Sequence, residues 1–172
     1  WRTEATFRTI SARFAGQKLT ENEFVIPYTT TGGFTEVQVS HKGSILLDLF
    51  RQGFATADFN LLSSGAFQLP AEALERHLRD AIHNLEILSG RQLGDPENPL
   101  LIAMRSAVPD YVPGFMPTYL NVGLTPAILP GLPARYGSDG AARIRLNSRK
   151  TLLEALDPEA FALVDAAIRP DL

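Results

Sequence analysis

The chain contains no cysteine. That excludes a disulfide framework, a thiol nucleophile and every thiolate metal site, and it fits a reducing compartment, so a cytoplasmic location is expected. Histidine is scarce: His41, His77 and His83 are the full set. No two of them have ligand spacing, the H-E-x-x-H pattern is missing, and no metal site is expected within the chain. Long apolar runs are absent as well, none approaching the roughly 18 residues of a membrane helix. The start, Trp1-Arg2-Thr3-Glu4, has no apolar signal core. Net charge is −3, so no global basic field points to nucleic acid, and neither nucleic acid nor membrane is an expected partner. G-x-S-x-G, G-x-G-x-x-G and the Walker loop do not occur. The first residue is not methionine, which suggests processing or derivation from something longer.

What is present is ordinary folded chain. Apolar residues make up 45% and charged residues 20% of 172 positions, enough for a core in one domain of α/β or α+β type. Phe7, Ile10 and Phe14 recur at helical spacing before Gly16. Phe24–Tyr28 is a short β run that Pro27 confines to an edge or a strand end. Glu36–Ser40 alternates polar and apolar like a half-buried strand, so the two runs suggest a hairpin. His41-Lys42-Gly43-Ser44 opens a helix with Ile45, Leu46, Leu49 and Phe50 on one face, closed by Gln52-Gly53. Phe59–Leu62 suggests another strand. The clearest helix is 71–89, with a stripe of Leu74, Leu78, Ala81, Ile82, Leu85 and Leu88 and a stop at Gly90. The turn-rich Gly94–Pro99 leads into Leu100–Met104, which reads as a buried central strand. Residues 105–118 read as a long loop and 119–140 as irregular. Helices are expected over 143–156 and 158–169, the second capped by Asp157 with Pro158 at its first position.

Three segments carry candidate chemistry. Lys42-Gly43 lies where a helix begins, where unpaired N–H groups and a lysine charge suit phosphate, and glycine lets a ligand approach the backbone. Arg105 leaves the carboxyl end of the apolar strand, a common crevice position, and presents a rigid fork to phosphate oxygens. Val112–Thr118 is an apolar loop centred on Gly114 that could close over a ligand. A solvated lysine, an arginine at a strand end and a loop packed on the core are the plainer alternatives. Arg135, Arg143, Arg145, Arg149 and Lys150 form a basic stretch, best read as a solvated helix face.

Leu78–Ser106, with Gly94-Asp95-Pro96 and the strand into Arg105-Ser106, resembles the N-terminal nucleotide-binding domain of pyruvate phosphate dikinase. Tyr111-Val-Pro-Gly-Phe-Met-Pro-Thr-Tyr-Leu-Asn-Val-Gly-Leu124 is similar to that family's next segment, and Lys42-Gly43 to its gly-gly-lys-gly stretch. The resemblance is best over 40–124, weaker to about 156 and absent over 1–35. It implies that residues 1–172 form a single partial nucleotide-binding domain: the N-terminal subdomain of an ATP-grasp fold, a mixed sheet with flanking helices and a helical tail over 143–169. It also implies ATP with Mg2+, the metal ligands lying outside this chain. Lys42, Gly43, Arg105, Gly114, Phe115, Met116 and Thr118 would hold nucleotide phosphates, Arg105 as the catalytic group. In the family, ATP phosphorylates a carrier histidine on the way to phosphoenolpyruvate. The expected partners are therefore nucleotide and, in cis or in trans, the other ATP-grasp half, the carrier-histidine domain and the pyruvate-binding domain.

The chain departs from the pattern at His41, where the family has glycine, at Ala55–Phe59, which lacks the prolines, at Ala107 and at Pro117. Turnover by this chain alone is not expected. The rival reading is a non-catalytic relict of the fold, used as an interaction or regulatory module.

Overall fold

The computed structural model describes residues 16–105, 118–157 and 159–161. The described residues fall into two compact units, divided between Gln92 and Leu93.

In the first unit, strand β1 (Val25–Pro27) pairs antiparallel with β2 (Asn60–Leu62), with Ile26 opposite Leu61. Helix α1 (Glu36–Arg51) lies between them in sequence, and a short 3-10 turn (Ser64–Gln68) leads to helix α2 (Ala71–Ser89). Ile26, Val39 and Leu47 form the core, packed by Phe34, Phe59 and Leu61. Pro27 ends its strand, as its missing N–H requires.

The expected hairpin between Phe24–Tyr28 and Glu36–Ser40 is overturned, because Glu36–Ser40 is helical. Gln38 Oε1 accepts the Thr35 N–H at 2.9 Å, half of a capping box that starts a helix. Val37 is exposed while Val39 is buried, which strand alternation would not allow. The partner of β1 comes from 60–62 instead. Within α1, Ser40 breaks the helix at φ 63, ψ 164, and its Oγ accepts the Gly43 N–H at 3.3 Å. Ser40 therefore caps a second helical segment that starts at His41, as the sequence suggested. The buried face differs from expectation. Leu47 is its innermost residue, and Ile45 is exposed.

Helix α2 ends where Gly90 takes the left-handed conformation (φ 69). Its most buried residue is polar. Asn84 Oδ1 accepts the Thr20 N–H at 2.8 Å, and Asn84 Nδ2 donates to the Thr20 carbonyl at 2.7 Å and to Asn60 Oδ1 at 3.1 Å. The amide thus acts as a strand partner for one residue of the incoming chain.

In the second unit, β3 (Ile102–Arg105) pairs antiparallel with β4 (Thr118–Val122). Leu129–Gly131 form a 3-10 turn before helix α3 (Leu132–Leu156), which packs along β4. Ile128, Leu132 and Ala141 form the core with Leu124, Leu129 and Ile144. Gly137 (φ 72, ψ 164) kinks α3. Asp157 Oδ1 accepts the Ala160 N–H at 3.0 Å, the expected cap.

Two expectations change here. Leu100–Met104 is not a buried central strand: Leu100 is buried, but Ala103, Met104 and Arg105 are exposed, in a sheet with one neighbour. Residues 119–140 are not irregular throughout, since β4 and the start of α3 fall within them. The described strands form two separate antiparallel pairs in place of one mixed sheet. The architecture is α+β. The expected helix near Phe7–Phe14 lies outside the described residues, as does most of the 158–169 segment.

Candidate functional site

Lys42 is exposed in the first turn of the segment that Ser40 caps. Among the described residues it makes no ion pair. His41 beside it places Nδ1 2.8 Å from Glu36 Oε1, and both side chains are well exposed. Gly43 faces inward. A Cβ there would lie 3.1 Å from Leu61 Cδ1 and 3.3 Å from Val39 Cβ, so the missing side chain makes room for β2. Its N–H is already given to Ser40. Gly43 thus lets the helix carrying Lys42 sit closely on the sheet.

Arg105 and Thr118 are brought together, as directly opposed residues at the open end of the β3–β4 ladder. Arg105 is exposed and makes no ion pair among the described residues. The chain leaves the ladder after Arg105 and re-enters at Thr118. Gly114, Phe115 and Met116 belong to this intervening segment and lie outside the described residues. Lys42 and Gly43 are in the first unit, Arg105 and Thr118 in the second.

The residues around Arg105 and Thr118 set the local geometry of the ladder. Between the pairs Ile102–Val122 and Met104–Tyr119 the register shifts, because Leu120 and Asn121 together face Ala103. Asn121 takes φ 57 at this bulge, a conformation asparagine tolerates better than most residues, and its Nδ2 donates to the Ile144 carbonyl at 3.4 Å. Gly123 follows at φ 104, where a Cβ would meet Leu93 Cδ1 at 2.6 Å and the Leu100 carbonyl at 2.8 Å. Only glycine fits. The Gly94–Pro99 loop is bound in turn by α3. Arg135 Nη2 donates to the Glu97 carbonyl, and its Nη1 donates to Asn98 Oδ1 at 3.3 Å. Within the loop, Asp95 Oδ1 accepts the Glu97 N–H at 2.9 Å.

Sequence reasoning missed Asn84 and the role of Arg135. No motif singles out Asn84, and an arginine in a basic run reads as solvated. The one available signal was the placement of Asn84 within the apolar stripe, between Ala81 and Leu88.

Among the described residues, no three His, Asp or Glu side chains gather to hold a metal ion. No described helix is long and apolar enough to cross a membrane.

No protein-family model matches the chain. Curated proteins do. Pyruvate, phosphate dikinase 1 (chloroplastic) of Zea mays is 41% identical over 69 residues, 40% of this chain and 7% of that protein. Pyruvate, phosphate dikinase of Clostridium symbiosum is 36% identical over 67 residues, 39% of this chain and 8% of the other. Pyruvate, phosphate dikinase 2 of Zea mays is 33% identical over 103 residues, 56% and 12% respectively. The chain thus matches about a tenth of the length of these relatives, and the resemblance seen in its motifs is borne out over that part.

Proposed function

We infer that this chain is the nucleotide-phosphate-binding portion of a dikinase-like phosphotransferase, built on the N-terminal subdomain of an ATP-grasp fold. The observation that carries the reading is the partial identity to pyruvate, phosphate dikinases of a plant and a bacterium. In this reading Lys42 and Arg105 neutralise phosphate charge, and Arg105 contacts the group being transferred. Gly43 seats the helix that carries Lys42. Gly114, Phe115 and Met116 close over the phosphates, from a segment whose ends are the opposed residues Arg105 and Thr118. Phosphoryl transfer depends mainly on positioning and charge neutralisation, which these residues suit. Mg2+ would arrive with ATP and be held by groups outside this chain. The phosphoryl group would pass to a carrier histidine, and then towards phosphoenolpyruvate, on domains supplied in cis or in trans in the cytoplasm.

Calorimetric titration with ATP and Mg2+ tests the reading. The expected dissociation constant is on the order of 0.1–1 mM. Lys42→Ala and Arg105→Ala should each weaken binding, each losing a charge-assisted contact worth about 1.5–3 kcal/mol. Arg105→Lys should not restore it fully, since an ammonium lacks the two-pronged geometry. Arg79→Ala is the control, being exposed and, among the described residues, paired with Glu75 on its own helix α2. His77 is a poorer control because its ring packs 4.9 Å from Phe24. No heat at millimolar ATP in the folded chain would defeat the reading.

The rival, a relict used as an interaction module, is favoured by one observation. Leu146, Leu152 and Leu156 of α3 are exposed, Leu156 by 81%. Loss of ATP binding together with concentration-dependent association through these leucines would support it.

A further inference from the structure

Among the described residues, the strands β3 and β4 form a sheet of two, interrupted by the bulge at Asn121. A two-stranded ribbon is marginal by itself, and a bulge weakens its register further. Register nonetheless decides which way Arg105 points, because a slip of one residue turns every side chain to the opposite face. Something outside the ladder must hold β3 in place along β4.

Among the described residues, two contacts help to do so at the entry to β3. Gly123, just past β4, is closed upon by Leu93 and the Leu100 carbonyl. The second contact is Arg135. Its guanidinium bridges two acceptors of successive residues, the Glu97 carbonyl and Asn98 Oδ1. Arg135 sits at the start of α3, ahead of the Gly137 kink, and α3 packs along β4. The loop before β3, the helix behind β4 and the ladder therefore close a ring of contacts. Arg135 supplies one link of that ring. Of the five basic residues of the stretch, Arg143, Arg145 and Arg149 are exposed with no such bond among the described residues.

We propose that Arg135 is a positioning residue: by clamping the 97–98 loop it fixes the register of β3 on β4, and with it the direction in which Arg105 is presented. The structural half stands on geometry alone. The consequence for phosphate binding rests on the function inferred above for Arg105.

Two measurements on the full chain test the halves separately. The absence of cysteine makes a paired thiol reporter clean. Arg105 and Thr118 are opposed, so Arg105→Cys/Thr118→Cys should form a disulfide readily under mild oxidant. Adding Arg135→Ala should slow that crosslink roughly tenfold or more, and Arg135→Lys should slow it too, since one ammonium cannot bridge both acceptors in a fixed plane. Adding Arg143→Ala should leave it unchanged. An unchanged crosslink with Arg135→Ala would overturn the proposal. The second measurement is the dissociation constant for ATP with Mg2+ in a double-mutant cycle. Arg135→Ala should raise it about five- to tenfold with Arg105 present, and have no further effect in the Arg105→Ala background. An equal loss in both backgrounds would show a general structural defect and overturn the positioning role. A slowed crosslink in a chain that never binds ATP would sustain the clamp and refute the nucleotide reading instead.

Discussion

Ser40 is held at φ 63, ψ 164, a region that glycine enters freely and other residues enter at a cost of about 1–3 kcal/mol. The dikinase pattern that Lys42 resembles has glycine at this place. Ser40→Gly should therefore stabilise the chain by about 1 kcal/mol, even after losing the cap on Gly43, which glycine replaces at a cost of only a few tenths. The urea midpoint should rise with an unchanged slope. At Asn84 the expectation is opposite in sign. Asn84 is fully buried, and its amide satisfies both the N–H and the carbonyl of Thr20. Asn84→Ala should cost about 2–4 kcal/mol, since two backbone groups lose their partner in a water-poor place. Asn84→Asp should not rescue, because its carboxylate accepts but cannot donate to the Thr20 carbonyl. Chemical denaturation of both variants checks this.

Among the elements, β4 gives the sharpest expectation. Gly123→Ala would place a methyl 2.8 Å from a backbone carbonyl and force alanine to φ 104. A loss of roughly 3 kcal/mol should follow, with faster amide exchange across Ile102–Arg105 than in α2. Helix α2 was legible in sequence because it is long, evenly striped and stopped by Gly90. The Asp157 cap was legible for the same local reason. Glu36–Ser40 was misread because Val37 and Val39 alternate as a strand does, whereas the choice was made by the Gln38–Thr35 bond and by the burial of Val39 alone. Leu100–Met104 looked uniformly buried because apolar content does not distinguish a strand that packs only at its entry. The opposition of Arg105 and Thr118 depends on one extra residue at Asn121, and a bulge leaves no periodic trace. The clamp by Arg135 is a contact between distant residues, which no local pattern reveals.

At the scale of the whole molecule, the chain carries a net charge of −3 and ATP is itself an anion. Under the proposed function, binding would come from the local charges of Lys42 and Arg105 working against a repulsive background. The affinity for ATP with Mg2+ should fall as salt rises, because both side chains are exposed and screened within a Debye length of about 8–10 Å. Titrations at low and high ionic strength would show the slope, and it should flatten in Arg105→Ala. The sheets themselves have a further consequence. Each consists of two strands, so among the described residues every strand has a neighbour on one side only. Pro27 blunts β1, but Thr118–Val122 carries no charge and is rich in residues that favour extended chain. An uncharged edge of this kind can pair with the same edge of another copy, although the bulge at Asn121 works against it. Refolding from urea at rising concentration should divert material into thioflavin-binding fibrils, and a synthetic peptide of Thr118–Val122 should seed them. The ribbon that displays Arg105 would then also be the place where copies of the chain meet.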